Sequence, residues 1–250
     1  MRFVTRRSAL IALSVLIAGA SARSLAAAVA PAGTLGKLNY DVEWRLIHAG
    51  SAVIATDDAG GYVKIDSAGL VSTLFKVDST YTVHYSQDLC AADTLLDARE
   101  GKRHRQTTVT YDRDQGRATF TDRDLIKNEI RNSAQIEIPR CVHEALGAIL
   151  TVRRTPPEPG QWAQIPMSNG RHSAQVRVEA QEREEVSTPA GAFKTVRYEA
   201  RLMNGVIYER KGRVFFWLTD DERRIPVQIR VRLSFPIGTV TLQLQKEEPK

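Results

Sequence analysis

Residues 140–154, RCVHEALGAILTVRR, place a cysteine, a histidine and a glutamate at the head of an apolar helical stripe. His143 followed by Glu144 matches the opening of the zinc-protease helix. In that motif two histidines four residues apart bind the metal from one face and the glutamate acts as base. Position 147 is glycine, so the second ligand is missing. A catalytic zinc takes three protein ligands, and His48, His84, His104 and His172 stand at no ligand spacing from His143. Neither a metal site nor a cofactor is expected, and His143 is read as a polar flank beside Cys141.

Other chemistry is equally sparse. Asp220 and Asp221 are neighbouring carboxylates, and such pairs can do acid–base work when their surroundings separate their pKa values. Here they are followed by Glu222, Arg223 and Arg224, so a turn held by local ion pairs is the first reading. No serine sits in a Gly-x-Ser-x-Gly elbow, and no glycine-rich phosphate loop is present. The run REGKRHR supplies Arg99, Lys102, Arg103 and Arg105. It is either a solvated hairpin connection between DTLLD and QTTVTYD or a site for an anionic partner such as a lipid headgroup, a lipopolysaccharide phosphate or an acidic glycan. Trp44, Trp162, Trp217, Tyr40 and Phe216 are candidates for lining a ligand cavity or for plain core.

The leader decides the compartment. Arg2, Arg6 and Arg7 precede an apolar run over 9–19, with small residues at cleavage positions after Ala22 or Ala30. That is the layout of a secretory signal peptide, and the run is about half the roughly 20 residues a membrane span needs. Thr5-Arg6-Arg7-Ser8 also has the look of a twin-arginine export signal. Residues 1–30 are therefore read as signal peptide and 31–250 as one periplasmic domain with no transmembrane segment. Removing 1–30 removes four arginines and no acid, leaving 31 basic against 29 acidic residues. A balance of +2 is no nucleic-acid footprint. Cys90 and Cys141 are the only cysteines. In an oxidising compartment they are expected to pair, closing a loop of about 50 residues that stabilises by roughly 4 kcal/mol in the chain-entropy account.

Whatever site exists must be carried by strands. LNYDVEWRL alternates apolar and polar residues, and so do SAVIAT, GYVKIDS, YTVHYS, QTTVTY, RATFT and AQIEI before the helix. SAQVRVEAQ, AFKTVRYEARL, GVIYERKG, RVFFWL, PVQIRVRLS and TVTLQLQ follow it. Asn169-Gly170 and Asn204-Gly205 are hairpin signals. About a dozen short strands with tight turns predict an all-β, curved or closed, barrel-like antiparallel sheet with one helix packed on it. That helix takes Val142, Ala145, Leu146, Ile149 and Leu150 as its apolar stripe and ends before Pro156-Pro157.

LNYDVEWRLIHAGSA, EGKRHRQTTVTYD, CVHEALGAILTVRR, TPAGAFKT and VFFWLTDDERRIPVQI occur in that order. Together they resemble the bacterial family called domain of unknown function 3108. The resemblance implies an exported, mostly antiparallel β-protein of the cell envelope, with no established activity and no catalytic residues to carry over. The function expected is non-enzymatic: binding a lipid or polysaccharide component of the envelope, or assisting its assembly. The rivals are a scaffolding protein with an envelope partner, and a glycan hydrolase using Asp220 or Asp221 across a groove.

Overall fold

The alternation translates into burial strand by strand. In β1 (Lys37–Trp44) Leu38, Tyr40 and Val42 are buried while the residues between them stay partly in water. The same rhythm is clear in β2 (Ile47–Thr56) and β7 (Arg117–Asp124) and weaker in β3 (Gly60–Ser67), β4 (Val77–Tyr85), β5 (Ala91–Glu100) and β6 (Arg103–Asp112), while β8 (Glu129–Glu137) is largely exposed. A one-turn helix, α1 (Gly69–Leu74), interrupts the path from β3 to β4, and α2 (Ala145–Arg154) follows β8. The chain continues through β9 (Trp162–Ser168), β10 (Ser173–Thr188), β11 (Gly191–Leu202), β12 (Gly212–Thr219), β13 (Pro226–Leu233) and β14 (Thr239–Glu248). The computed structural model describes residues 35–57, 59–202, 212–233 and 238–248. The predicted signal peptide, the strand read at 205–212 apart from Gly212, and the Asn204-Gly205 turn lie outside these residues.

All fourteen described strands form one antiparallel sheet in the order β8-β7-β6-β5-β4-β3-β2-β1-β14-β13-β12-β11-β10-β9. Consecutive strands are sheet neighbours everywhere except β8 and β9, which form the two edges, and β14 returns to pair with β1. The sheet curls, because elements far apart in the strand order meet. Tyr111 of β6 donates from its hydroxyl to the Ser168 carbonyl of β9 at 3.1 Å. Both halves also converge on α2, described below.

The edge strands β8 and β9 do not pair, so the barrel is not closed by strand pairing. One end of the gap is laced instead by residues 141–143. The His143 amide donates to the Pro166 carbonyl, the Ser168 amide donates to the His143 carbonyl, and the Ala91 amide donates to the Val142 carbonyl. The Cys90–Cys141 disulfide bolts the same place, with its Cα atoms 5.1 Å apart.

This lacing corrects the expected helix. Residues 140–141 bend, His143 forms a bridge to Met167, and α2 begins only after Glu144, whose carboxylate accepts from the Leu146 and Gly147 amides. Val142 fits the helical stripe by spacing yet lies in a second core cluster with Ala91, Val109, Tyr111, Ala118 and Phe120. Arg153, in the last turn of α2, would by position suit the carbonyl end of the helix dipole. It is buried, and its guanidinium donates to the carbonyls of Arg223 and Arg224 at 2.7–2.8 Å. The helix thus runs from β4 to the β12–β13 turn and plugs the sheet's interior from one end.

Because the strands meander, their connections alternate between two rims. One rim carries 45–46, 68–76, 101–102, 125–128, 169–172 and Gly238; the other carries 57–59, 86–90, 113–116, 189–190 and 220–225. The helix enters from the second rim; the first, into whose interior no helix runs among the described residues, is called the open rim below.

Candidate functional site

Antiparallel register places one residue of each strand in rows across the inner face. One such row is Val63, Tyr81, Leu96, Thr107 and Asp122; the next toward the open rim is Ile65, Ser79, Ala98, Arg105 and Asp124. Between this face, the start of α2 and the β9–β10 turn lies a cavity of about 490 Å³. Its walls are mainly apolar, from Val63, Leu96, Val109, Phe120, Leu146 and Met167. That volume is within the range of sites that enclose a small organic ligand, roughly 300–1,000 Å³.

Two close backbone approaches shape the cavity. A Cβ at Gly61 would lie 2.5 Å from Cδ2 of Leu146, so the first turn of α2 seats directly on bare β3 backbone. Gly170 adopts φ +81°, and a Cβ there would meet Val109 at 2.5 Å. The Asn169-Gly170 hairpin tip can therefore fold inward over β6 and β7. Asn169 Oδ1 fixes this tip by accepting from the Arg171 and His172 amides. Arg171 lays its guanidinium 5.6 Å from the centre of the Phe120 ring.

At the floor, Glu144 is buried and receives four donors. Tyr81 and Tyr85 donate their hydroxyls at 3.1 and 2.8 Å, and the Leu146 and Gly147 amides donate at 2.7 and 2.5 Å. Burial outweighs these donors and raises the Glu144 carboxyl above the ordinary carboxylate range. Burial, together with the adjacent carboxyl, likewise pushes the Tyr81 and Tyr85 hydroxyls well above the usual phenol value. The floor is thus a saturated hydrogen-bond network that anchors the helix.

Toward the open rim the lining turns polar and basic. Arg105 has the inward parity of Val109 and Tyr111 on β6 and lines the cavity, with no ion-pair or hydrogen-bond partner for its side chain among the described residues. Asp122 beside it accepts from Thr107 at 3.4 Å. The arrangement is an apolar chamber with guanidinium groups of Arg105 and Arg171 near its mouth.

The charged run is therefore dispersed. Only Gly101 and Lys102 form the turn, and the rest continues β5 and β6. Arg99 lies on the outer wall, its Nε 3.4 Å from His104 Nε2. Lys102 and Arg103 stand exposed on the rim, and Arg105 alone of the four reaches the chamber.

Of the five aromatics considered, none lines it. Tyr40 is fully buried and donates to the Pro226 carbonyl at 2.6 Å. Phe216 stacks on Tyr198, and Trp217 lies beneath Arg230. Trp44 and Trp162 are covered by Arg45 and Arg177. The tyrosines that do serve the site, Tyr81 and Tyr85, share one parity in YTVHY, a signal legible in retrospect.

The remaining candidates are held apart. Asp221 Oδ1 accepts from Thr219 Oγ1 at 2.6 Å and from the Arg223 and Arg224 amides, while Asp220 pairs with Arg183 at 3.0 Å. Both fasten the 220–225 turn at the rim remote from the chamber's mouth. His84 and His104 pair with Asp93 and Asp97 on the outer wall, and His143 meets the Leu89 carbonyl at 2.8 Å.

The sequence profile of the family described as Protein of unknown function (DUF3108) matches residues 39–245. The chain belongs to this DUF3108 family. No curated protein matches it. Among solved structures, a β-barrel-like protein of the DUF1849 family from Brucella abortus superposes with a TM-score of 0.58. The pair is 10% identical, and the match covers 88% of this chain and all of that one. That likeness shows a shared β-barrel-like fold. An exported protein with a YmcC-like fold from Bacteroides fragilis gives a TM-score of 0.34 at 11% identity, covering 87% of this chain and all of its own. A protein named as a lipoprotein from Parabacteroides distasonis gives 0.34 at 8% identity, covering 87% of this chain and 97% of its own.

Proposed function

We infer that this DUF3108 protein is a periplasmic, non-enzymatic binding protein for a single amphiphile with an apolar body and an anionic head. The observation that carries the reading is the chamber: about 490 Å³, with mainly apolar walls and Arg105 near its mouth. An acyl or prenyl chain would lie against Leu96, Val109, Phe120 and Met167, and its phosphate or carboxylate would meet Arg105 with charge-assisted hydrogen bonds. A polysaccharide fits less well, because much of the polar lining is already engaged: Tyr81 with Glu144, Tyr111 with the Ser168 carbonyl, Thr107 with Asp122 and Asn169 with its own turn. The leader and the disulfide support an oxidising, exported location. The chamber's one deep carboxyl, Glu144, is engaged by four donors that hold a helix, which favours retention of a ligand over chemistry upon it.

The test is native mass spectrometry of the protein purified from its own host, followed by solvent extraction. One anionic amphiphile per chain is expected. Leu96→Trp, which fills the chamber, should be recovered empty, and Arg105→Gln should lower occupancy about tenfold, the effect of one charge-assisted hydrogen bond. Wild-type protein that carries nothing and takes up no added fatty acid or phospholipid would contradict the reading.

A further inference from the structure

We propose that the open rim of the barrel docks on an anionic lipid bilayer. The exposed aliphatic side chains of this protein are concentrated there. Leu46, Leu70, Leu74 and Ile126 are 65 to 90% exposed and sit on three different connections of that rim, Leu70 and Leu74 together on α1. Ile47, Phe75 and Ile130 flank them and are also more than half exposed. Scattered apolar residues are normal on a surface, but alignment along one rim is a patch with a direction.

Charge follows the same division. The described connections of this rim carry Arg45, Lys76, Lys102 and Lys127 and no acidic residue. Lys127 pairs with Glu129 at 3.6 Å, and Asp124 turns into its own hairpin to accept from the Ile126 and Lys127 amides. The opposite rim's connections mix both signs, Asp57, Asp88, Asp114, Glu158, Asp220, Asp221 and Glu222 beside Arg113, Arg140, Arg154, Arg223 and Arg224. The described connections of the first rim are therefore aliphatic and wholly cationic, whereas the far rim is mixed in sign and close to neutral. Aliphatic groups beside lysine and arginine are the composition of an interfacial anchor on anionic lipid.

Geometry favours a flat partner. Successive tips on one rim are separated by two strand spacings, roughly 10 Å, so they form separate points on an arc rather than the walls of a groove. A plane can touch all of them together. The outer wall does not enter the bilayer: Arg197, Arg213 and Arg232 project from it, where a spanning barrel would present an apolar band.

One tip carries its own sign of selection for exposure. The β1–β2 hairpin turns on Arg45 and Leu46 with φ of 51° and 68°, the two positive values that Asn-Gly adopts at low cost. Asp88 and Leu89 on the far rim adopt similar angles, but Leu89 packs on the core whereas Leu46 is 90% exposed, a costly arrangement at a tip that buries nothing. The chamber's mouth faces the same rim, so docking would bring an amphiphile in the bilayer to Arg105. The inference itself stands on the rim and does not require the chamber to be filled.

The experiment is flotation of the protein, as purified from its own cells, with vesicles of phosphatidylcholine alone or mixed with phosphatidylglycerol. Binding to the mixed vesicles, weakened by salt, is expected. Leu70→Asp/Leu74→Asp/Ile126→Asp should reduce it by more than about tenfold, since each leucine leaves apolar contact for a charge. Arg45→Asn/Leu46→Gly should raise thermal stability and still weaken flotation, which separates docking from folding. Asp220→Lys/Glu222→Lys at the other rim and Leu96→Trp in the chamber should float as wild type, so failure of the ligand reading leaves this result distinguishable. Absence of flotation with the mixed vesicles, or equal binding by the wild type and the Asn-Gly variant, would overturn the proposal.

Discussion

The two halves of the sheet are written in the same alternating code and end up filled differently. In β10 to β14 the inner face is packed: Val178, Tyr198, Ala200, Phe216, Val227 and Ile229 are buried, and the Tyr198 and Phe216 rings stack at 5.2 Å. Even the outer face there is covered, with Arg213 bound by the nearly inaccessible Glu199 and Trp217 donating to Glu184 at 2.7 Å. In β3 to β7 the inner face keeps Val63, Leu96, Thr107 and Asp122 only partly buried around the chamber. Alternation decides which side chains face inward. Whether the inside is solid is decided by what the connections bring, and here α2 and the β9–β10 tip cover only part of the second half.

That contrast makes quantitative predictions. Phe216→Ala should cost about 3–5 kcal/mol, the usual loss for an aromatic in a tight core, whereas Leu96→Ala, at a side chain only partly removed from water, should cost about 1 kcal/mol. Denaturant midpoints measure both, and equal losses would erase the distinction between the halves. Cys90→Ser/Cys141→Ser should cost up to about 4 kcal/mol, because it unlocks the one place where the edge beside β9 is tied to the start of β5. Native-state hydrogen exchange should then accelerate first in β8 and β9, the unpaired edges, and last in β12 and β13.

A smaller, pH-dependent effect belongs to the boundary between the halves. Folding raises the Glu144 carboxyl because it is buried, so the folded chain holds that proton more tightly than the unfolded chain does. Stability from this group is complete below the ordinary carboxylate value. It declines as pH rises from there through the raised folded value, and is constant above it. Glu144→Gln removes the titration. The stability gap between wild type and Glu144→Gln, about 1 kcal/mol at low pH for one altered hydrogen bond, should narrow as pH rises through that window. A gap that widens would reverse the sign argued here.

Much of the architecture was legible because period-two alternation is a direct consequence of pleating. Leu38, Tyr40 and Val42 announce β1 without ambiguity. The elements that escaped did so for local reasons. β5, read only as the flank DTLLD, mixes Ala92, Asp93, Asp97 and Ala98 into its faces, so its inner row of Thr94, Leu96 and Ala98 carries little apolar contrast. β9 contains Pro166, which demotes a run from strand status; it is tolerated because β9 is an edge, where its carbonyl serves His143. The helix start was set too early because Val142 lies on the stripe, and because the cap is a glutamate reaching two amides rather than the usual short polar residue. The chamber was hidden in REGKRHR: a charge run reads as solvated, and only its parity with Val109 and Tyr111 reveals that Arg105 turns inward. The docking rim was invisible, since Leu46, Leu74 and Ile126 are far apart in sequence and become neighbours only through the meander.

The most direct measurement of the hollow half is an equilibrium titration with a fluorescent dansyl-labelled fatty acid, followed by its blue shift on entering an apolar site. The account predicts one site per chain, abolished by Leu96→Trp, weakened about tenfold by Arg105→Gln, and unchanged by replacing Asp220 at the far rim. Saturable binding that survives Leu96→Trp unaltered, or no blue shift at any concentration, would mean that the interior between α2 and β6 receives no amphiphile.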